Sequence, residues 1–314
     1  MTITAFLFPG QGSQYTGMGK EFYGAYPEFR HVMEEADDTL KYRLSKLCFE
    51  GSEDQLKLTA ITQPSILAVS IGVWEILKSR MSLPEFVAGH SMGEYSALVS
   101  AGSLAFRDAV ITVKLRGEFM QEAVPHGRGA MAAIIGMKAK DVEKICQEAS
   151  EGEVVSPANF NSPDQTVIAG ESSAVDRAIE IAKKNNAKRA LKLPVSAPFH
   201  CALMKPAQER LAQHLEGVVI GNLSFPLVSN VEAAIIFEGK KAKDSLIRQV
   251  SSPVLWESSM KVLRQQGVDV LIECGPGKVL SGLAKRIDSS FKIYHVEDES
   301  SLRETLKEME SLRI

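Results

Sequence analysis

The stretch FVAGHSMGEYSA, residues 86–97, constrains this chain more than any other. A short apolar run that reads as a buried strand ends on Gly89, and a helix-forming run starts at Glu94. Only a tight bend can join them, and the bend carries one small hydroxyl, Ser91, between Gly89 and Gly93. A strand that passes straight into a helix belongs to a strand-helix-strand unit. Such units build a largely parallel sheet with helices against both faces.

The same alternation recurs along the chain. ITAFLF reads as a buried strand closed by the breaker-rich PGQGSQ, and VDVLIECGPG as a strand entering a glycine-rich loop. TQPSILAVSIGVWEILKS reads as a helix capped by Thr62 with Pro64 near its first turn; it is apolar almost all round, as a buried helix is. EYSALVSAG and RDAVITVKLRGEFMQEA are further helices.

Between Gly127 and Val195 the order changes. AMAAIIGM, VVSPANF, QTVIAG and RALKLPV read as strands, with KAKDVEKICQEAS and SAVDRAIEIAKKNNA as helices, giving the β-α-β-β-α-β order of a ferredoxin-like unit. Glycine and proline mark both joints, PHGRG before and PVSAP after. The expected fold is α/β: a large α/β-hydrolase-like domain with a mostly parallel sheet, from residues 1–126 and 196–314, plus an inserted small ferredoxin-like domain at 127–195.

Composition narrows the function. Across 314 residues, 36 Lys and Arg stand against 39 Asp and Glu, a formal net charge of -3, so neither nucleic acid nor an anionic membrane is an expected partner. Cys48, Cys146, Cys201 and Cys274 are scattered, without metal-site spacing or the density of a disulfide framework, which suits a reducing cytoplasm. The amino terminus lacks the basic, apolar, small-residue order of a signal peptide, and the apolar runs read as too short for a membrane span.

GHSMG fits the G-x-S-x-G pattern of a nucleophile elbow, with a strand before it and a helix after it. The amide after the serine and the helix amino terminus can then face a developing oxyanion. A serine hydroxyl needs a base. His31, His214 and His295 read as solvated surface residues, His126 has no evident partner, and His90 points the other way out of the turn. His200, in PVSAPFHCALM, stands where a strand ends and is the leading base. No carboxylate for a triad is evident beyond Asp244 in a lysine-rich helix, so a backbone carbonyl could orient the imidazole instead.

FPGQGSQ, TQPS, GHSMGEYSA, KLRGEFMQEA, APFH, SPVLWESS and ECGPGKVL follow one another across essentially the whole chain. In this combination the chain resembles the malonyl-CoA:acyl carrier protein transacylases, acyltransferases of fatty-acid and polyketide synthesis. The resemblance implies that Ser91 carries the acyl group as an ester and that His200 is its base and acid. Gln11 and Met92 would supply two backbone amides of an oxyanion hole, and the main-chain carbonyl of Gln249 would hold the histidine. Arg116 would pair with the free carboxylate of the malonyl group, Asn161 would line the coenzyme A path, and Phe199 would crowd a branched acyl group. The implied substrates are malonyl-CoA and the phosphopantetheine thiol of acyl carrier protein, with no metal and no cofactor, in a cytoplasmic monomer.

The residue chemistry of Arg116 agrees with its implied role. A guanidinium grips a carboxylate with two parallel hydrogen bonds, and the surrounding AVITVKLRGEFM is largely apolar for a solvated arginine. Two basic clusters, Lys183, Lys184, Lys188, Arg189 and Lys192 in one and GKKAK near Lys240 in the other, are candidate contacts for an acidic carrier. Three competing readings remain: a free-standing acyltransferase serving a polyketide synthase, a serine hydrolase such as a thioesterase, and a non-catalytic carrier-binding module. The hydrolase predicts a carboxylate behind His200 and no role for Arg116.

Overall fold

The computed structural model describes residues 2–125, 127–195 and 197–312. Strand β1 (Ile3–Phe8) opens the chain, followed by α1 (Lys20–Ala25), α2 (Pro27–Leu40), α3 (Leu44–Glu50), α4 (Glu53–Lys57) and α5 (Thr59–Lys78). Then come β2 (Phe86–Gly89), α6 (Gly93–Ser100) and α7 (Phe106–Glu122). A separate run follows: β3 (Gly129–Ile135), α8 (Ala139–Ser150), β4 (Val155–Ser162), β5 (Gln165–Glu171), α9 (Ser172–Lys184) and β6 (Arg189–Lys192). The chain ends with α10 (Lys205–Glu216), β7 (Leu227–Val228), β8 (Ile235–Ile236), α11 (Gly239–Gln249), α12 (Trp256–Gln265), β9 (Val268–Cys274), α13 (Val279–Ile287), β10 (Lys292–Val296) and α14 (Glu299–Ser311).

Six strands form one sheet in the order β10-β9-β1-β2-β7-β8, parallel except for the edge strand β8. Side-chain alternation divides its core between two faces. Phe6 and Phe8 of β1 pack into the cluster that contains the buried side chains of α2 and α5, whereas Ala5 and Leu7 join Trp256, Met260, Leu280 and Leu283 of α12 and α13. All four β1 side chains are fully buried, as a strand covered on both sides requires.

The other four strands make an antiparallel sheet, β4-β5-β3-β6, the strand order of a ferredoxin-like unit. One face is covered by its own helices: Ala130, Ala132 and Ile134 of β3 meet Val142 and Ile145 of α8 and Val175 and Ala178 of α9. From the opposite face, Met131, Ala133 and Val167 line a cavity shared with the larger sheet.

Helix α5 departs from its sequence reading. It starts at Thr59, so Pro64 lies inside it, and Thr62 is no cap; the Thr62 hydroxyl donates to the Leu56 and Leu58 carbonyls in the preceding turn. It is also long and apolar enough to cross a membrane by length and composition, but most of it is buried between α2, α7 and the large sheet. Its apolar surface is turned toward protein on all sides.

Candidate active site

Strand β2 enters the bend with Gly89, and α6 leaves it at Gly93. Between them Ser91 adopts φ +52°, the left-handed region that costs an ordinary residue about 1 kcal/mol or more. The flanking glycines are there for space. A Cβ on Gly89 would lie 2.0 Å from the Gly93 carbonyl carbon, and one on Gly93 would lie 2.2 Å from the Phe8 carbonyl oxygen. Asn230, just after β7, ties the bend down. Its Oδ1 accepts the Ser91 N–H at 2.7 Å, and its Nδ2 donates to the Gly89 carbonyl at 2.7 Å.

His200 follows β6 at φ +61°, a second strained backbone at the same place. Its Nε2 lies 2.7 Å from Ser91 Oγ, and its Nδ1 lies 2.8 Å from the Gln249 carbonyl oxygen. A carbonyl can only accept, so the proton sits on Nδ1 and the Nε2 lone pair faces the serine. Burial, with the positive charge of Arg116 beside it, pushes the imidazole down to about 3. It is therefore a neutral acceptor throughout the physiological range. Among the described residues no carboxylate stands behind it, and Asp244 is exposed on α11.

Arg116 reaches the same point from α7, which crosses α5 at Gly117. A Cβ on Gly117 would lie 2.8 Å from the Thr59 carbonyl oxygen, so the glycine permits the approach that brings Arg116 to Gln63. The arginine is 1% exposed. Its Nη1 donates to Gln63 Oε1 at 3.0 Å, and its Nη2 donates to Gln249 Oε1 at 2.9 Å and to Ser91 Oγ at 3.2 Å. Its Nε is buried without an acceptor. Among the described residues no carboxylate touches the guanidinium, an unusual state for a buried charge and a suitable one for receiving an anion.

These groups open into one cavity of about 360 Å³. Gln11, Met92, Phe199 and Asn161 all line it, so the structure brings together every site residue expected from sequence except Gln249, which stands directly behind Arg116 and His200. The amides of Gln11 and Met92 donate to no acceptor among the described residues. Asn161 Oδ1 is 2.9 Å from His90 Nε2, and the His90 ring meets Trp256 edge-on at 5.4 Å. His90 thus braces the cavity wall.

Of the other histidines, His31 is exposed, while His214 is half-buried with Nε2 2.9 Å from Thr112 Oγ1, and His295 faces Glu297 at 3.7 Å. The last two are less solvated than their polar neighbours in sequence imply. His126 lies outside the described residues. Among the described residues no group of three or more His, Cys, Asp or Glu could hold a metal ion.

Three functional neighbours escaped the sequence reading: Gln63, Asn230 and Glu94. Gln63 sits inside the quoted TQPS and Glu94 inside GHSMGEYSA, but side-chain amides and carboxylates acquire meaning only through partners far away in sequence. Asn230 lies in an unremarked loop, VSNVEA, that carries no local signal.

A serine aligned with a neutral imidazole at the carboxyl end of a parallel sheet, with a free guanidinium beside it, describes an α/β enzyme of acyl transfer. The chain belongs to the acyl transferase domain family, whose model matches residues 5–301. It is 49% identical over 312 residues to the malonyl CoA-acyl carrier protein transacylase of Bacillus subtilis, covering 98% of both chains. The solved malonyl CoA-acyl carrier protein transacylase of Coxiella burnetii is 42% identical, with a TM-score of 0.96 over 98% of each chain. A malonyl-transacylase solved in complex with its type II PKS acyl-carrier protein is 45% identical, also at 0.96, over 98% of this chain and 100% of that one.

Proposed function

We propose that this protein transfers the malonyl group of malonyl-CoA to the phosphopantetheine thiol of an acyl carrier protein through a malonyl ester on Ser91, supplying extender units for fatty-acid synthesis. The observation that carries this reading is the position of Ser91 Oγ, 2.7 Å from His200 Nε2 and 3.2 Å from Arg116 Nη2. The names of the relatives support it.

In the first half-reaction Ser91 Oγ attacks the thioester carbonyl while His200 Nε2 takes the hydroxyl proton. The carbonyl oxygen becomes an oxyanion, and the amides of Gln11 and Met92, lining the same cavity, are its donors. Collapse expels the CoA thiolate, which takes the proton back from His200. In the second half-reaction the carrier thiol gives its proton to His200 and attacks the ester carbonyl, and Ser91 leaves with that proton. A thioester becomes an ester and then a thioester again, so the exchange needs neither ATP nor a metal ion.

Arg116 holds the malonyl carboxylate, with Gln63 and Gln249 fixing the plane of its guanidinium. Phe199 and the apolar wall of Met131, Val167 and Leu193 exclude water and crowd a branched acyl group, and Asn161 lines the coenzyme A path. Residues 127–195 act as a small domain set into a large one formed by 1–126 and 196–314, its open sheet face serving as that wall. One chain supplies the whole cavity, which supports a monomer, and four free, buried cysteines support a cytoplasmic setting.

Intact mass after mixing with malonyl-CoA tests the reading. The wild type should gain one malonyl group and lose it to holo carrier protein, and Ser91→Ala should gain none. Release of free malonate without carrier acylation would instead make the protein a hydrolase. A second pathway, loading of a polyketide carrier, is favoured by the similarity to the transacylase solved with its PKS carrier; relative rates of transfer to the two kinds of carrier separate them.

The carrier docks on the basic cluster of the small domain. Lys183 and Lys192 are paired with Glu180 and Asp176, but Lys184, Lys188 and Arg189 are exposed and have no ion pair among the described residues. The competing GKKAK cluster is largely occupied: Lys241 pairs with Glu238, and Lys243 donates to the Leu215 and Val218 carbonyls. Reversing Lys188 and Arg189 to glutamate should raise the KM for carrier about tenfold or more at low salt, leaving acylation by malonyl-CoA unchanged. An unchanged KM would remove this patch from the interface.

A further inference from the structure

We infer that Glu94 is a positioning residue for this reaction: acting through the Gln249 side chain, its carboxylate holds in place the groups on which Arg116 and His200 both rely. The inference rests on the malonyl-transfer reading above. Glu94 is a fully buried acid in the first turn of α6, three residues after Ser91, and the proton transfers just described do not use it. Its Oε1 accepts the Asn230 N–H at 2.7 Å, and its Oε2 accepts from Gln249 Nε2.

The side-chain amide of Gln249 lies between two groups of opposite character. On one side the guanidinium of Arg116 can only donate, and on the other the carboxylate of Glu94 can only accept. A single orientation of the amide satisfies both, with Oε1 toward Arg116 and Nε2 toward Glu94. Held that way, the same Nε2 also donates to the Ser91 carbonyl at 3.0 Å, and the Gln249 main-chain carbonyl takes the His200 Nδ1 proton. One residue, its side chain fixed by one carboxylate, thus touches the backbone of the nucleophile, the base and the anion receptor. When ionised, Glu94 is also the counter-charge of Arg116 at one amide's remove, which helps a guanidinium to be buried with no carboxylate among the described residues in contact.

Protonation of Glu94 breaks this logic, because a carboxylic acid can donate as well as accept. The Gln249 amide then has no reason to keep its carbonyl toward Arg116. The charged and titratable groups near Glu94 are Tyr95 on its own helix, whose phenol burial pushes well up and keeps neutral, Arg116 from α7 and Glu232 from the loop after β7, with His200 beyond Ser91. Arg116 and the two N–H donors favour the carboxylate, whereas burial, the largest influence, and Glu232 oppose it and push the group up to about 8. His200 is held down to about 3, but Glu273, which accepts from the N–H of the cavity residue Leu280, is also pushed up to about 7, so a titration near neutrality in the acylation rate is assigned to Glu94 by its loss in Glu94→Gln.

The test is kcat/KM for acylation by malonyl-CoA across pH, followed by intact mass, in the wild type, Glu94→Gln and Gln249→Ala. The wild type should show a limb that rises with pH through the neutral to mildly alkaline range. Glu94→Gln should lose that limb and fall about 10- to 100-fold, the cost of a small misplacement of reacting groups. Gln249→Ala, which keeps the main-chain carbonyl but cuts the link, should lose it too. A flat wild-type profile, or a limb that persists in either variant, would overturn the inference without needing the other variant to fold. Failure of the wild type to acylate at any pH would overturn the malonyl-transfer reading, and this inference with it.

Discussion

Replacing His200 by alanine should slow acylation of Ser91 by malonyl-CoA on the order of 10⁴-fold, measured by rapid quench. A serine hydroxyl is a poor nucleophile while it keeps its proton, and among the described residues His200 supplies the only basic nitrogen in contact with Oγ. The other neighbour, Arg116 Nη2, is a donor. The depressed imidazole keeps its lone pair free before substrate arrives; the proposed malonyl carboxylate on Arg116 would then cancel part of the charge that depresses it, so the base would strengthen when it is needed.

The same shift acts on stability. The folded value of about 3 lies below the ordinary 6.5, so below 6.5 the unfolded chain binds a proton that the folded protein refuses. Stability from this group is full above 6.5 and is lost as pH falls toward 3. Acidification should therefore lower the urea midpoint of the wild type more than that of His200→Ala. A variant acylated within about tenfold of the wild-type rate would remove His200 as the base.

The second large effect is expected at Arg116. Arg116→Ala should lower kcat/KM for malonyl-CoA by about 10²- to 10⁴-fold and acetyl-CoA far less, through the loosened Gln249 amide alone, erasing most of the preference between them. Two charge-assisted bonds to a carboxylate, each about 1.5–3 kcal/mol, give a discrimination of this size. Arg116→Lys should recover only part of it. A single ammonium cannot hold Gln63, Gln249 and a carboxylate together as the guanidinium fork can. Steady-state rates with the two thioesters decide the matter, and a variant that kept its malonyl preference would sink the substrate assignment.

Much of this architecture is legible in the chain because it is local. ITAFLF, EFVAG and VDVLIEC are apolar runs of strand length closed by glycine or proline, and they become β1, β2 and β9 in one parallel sheet. The glycines around Ser91 announce a bend because no other residue leaves room for Phe8 and the start of α6 to close on it. The short strands β7 and β8 carry no such signal. Two residues each cannot display a period, and they exist as strands only because β2 offers an edge to pair with.

The site was legible in its members and illegible in its contacts. Ser91, His200 and Arg116 each stand in a recognisable local setting, yet their mutual distances depend on segments that fold over one another from across the chain. Gln249 shows the difference best. From sequence it was a main-chain carbonyl behind the histidine; in the folded protein its side chain also bridges Arg116, Glu94 and the Ser91 backbone.

By itself the sequence determined the longer strands and helices around the site, where the bend must fall, and that a hydroxyl, an imidazole and a guanidinium were available. Those properties follow from backbone sterics and side-chain periodicity within a few residues. Only the tertiary structure decided that Glu94 and Asn230 belong to the site and that the Gln249 side chain bridges Arg116 and Glu94. Hydrogen-bond partners and desolvation depend on what surrounds a group in space, and those surroundings come from residues more than a hundred positions away.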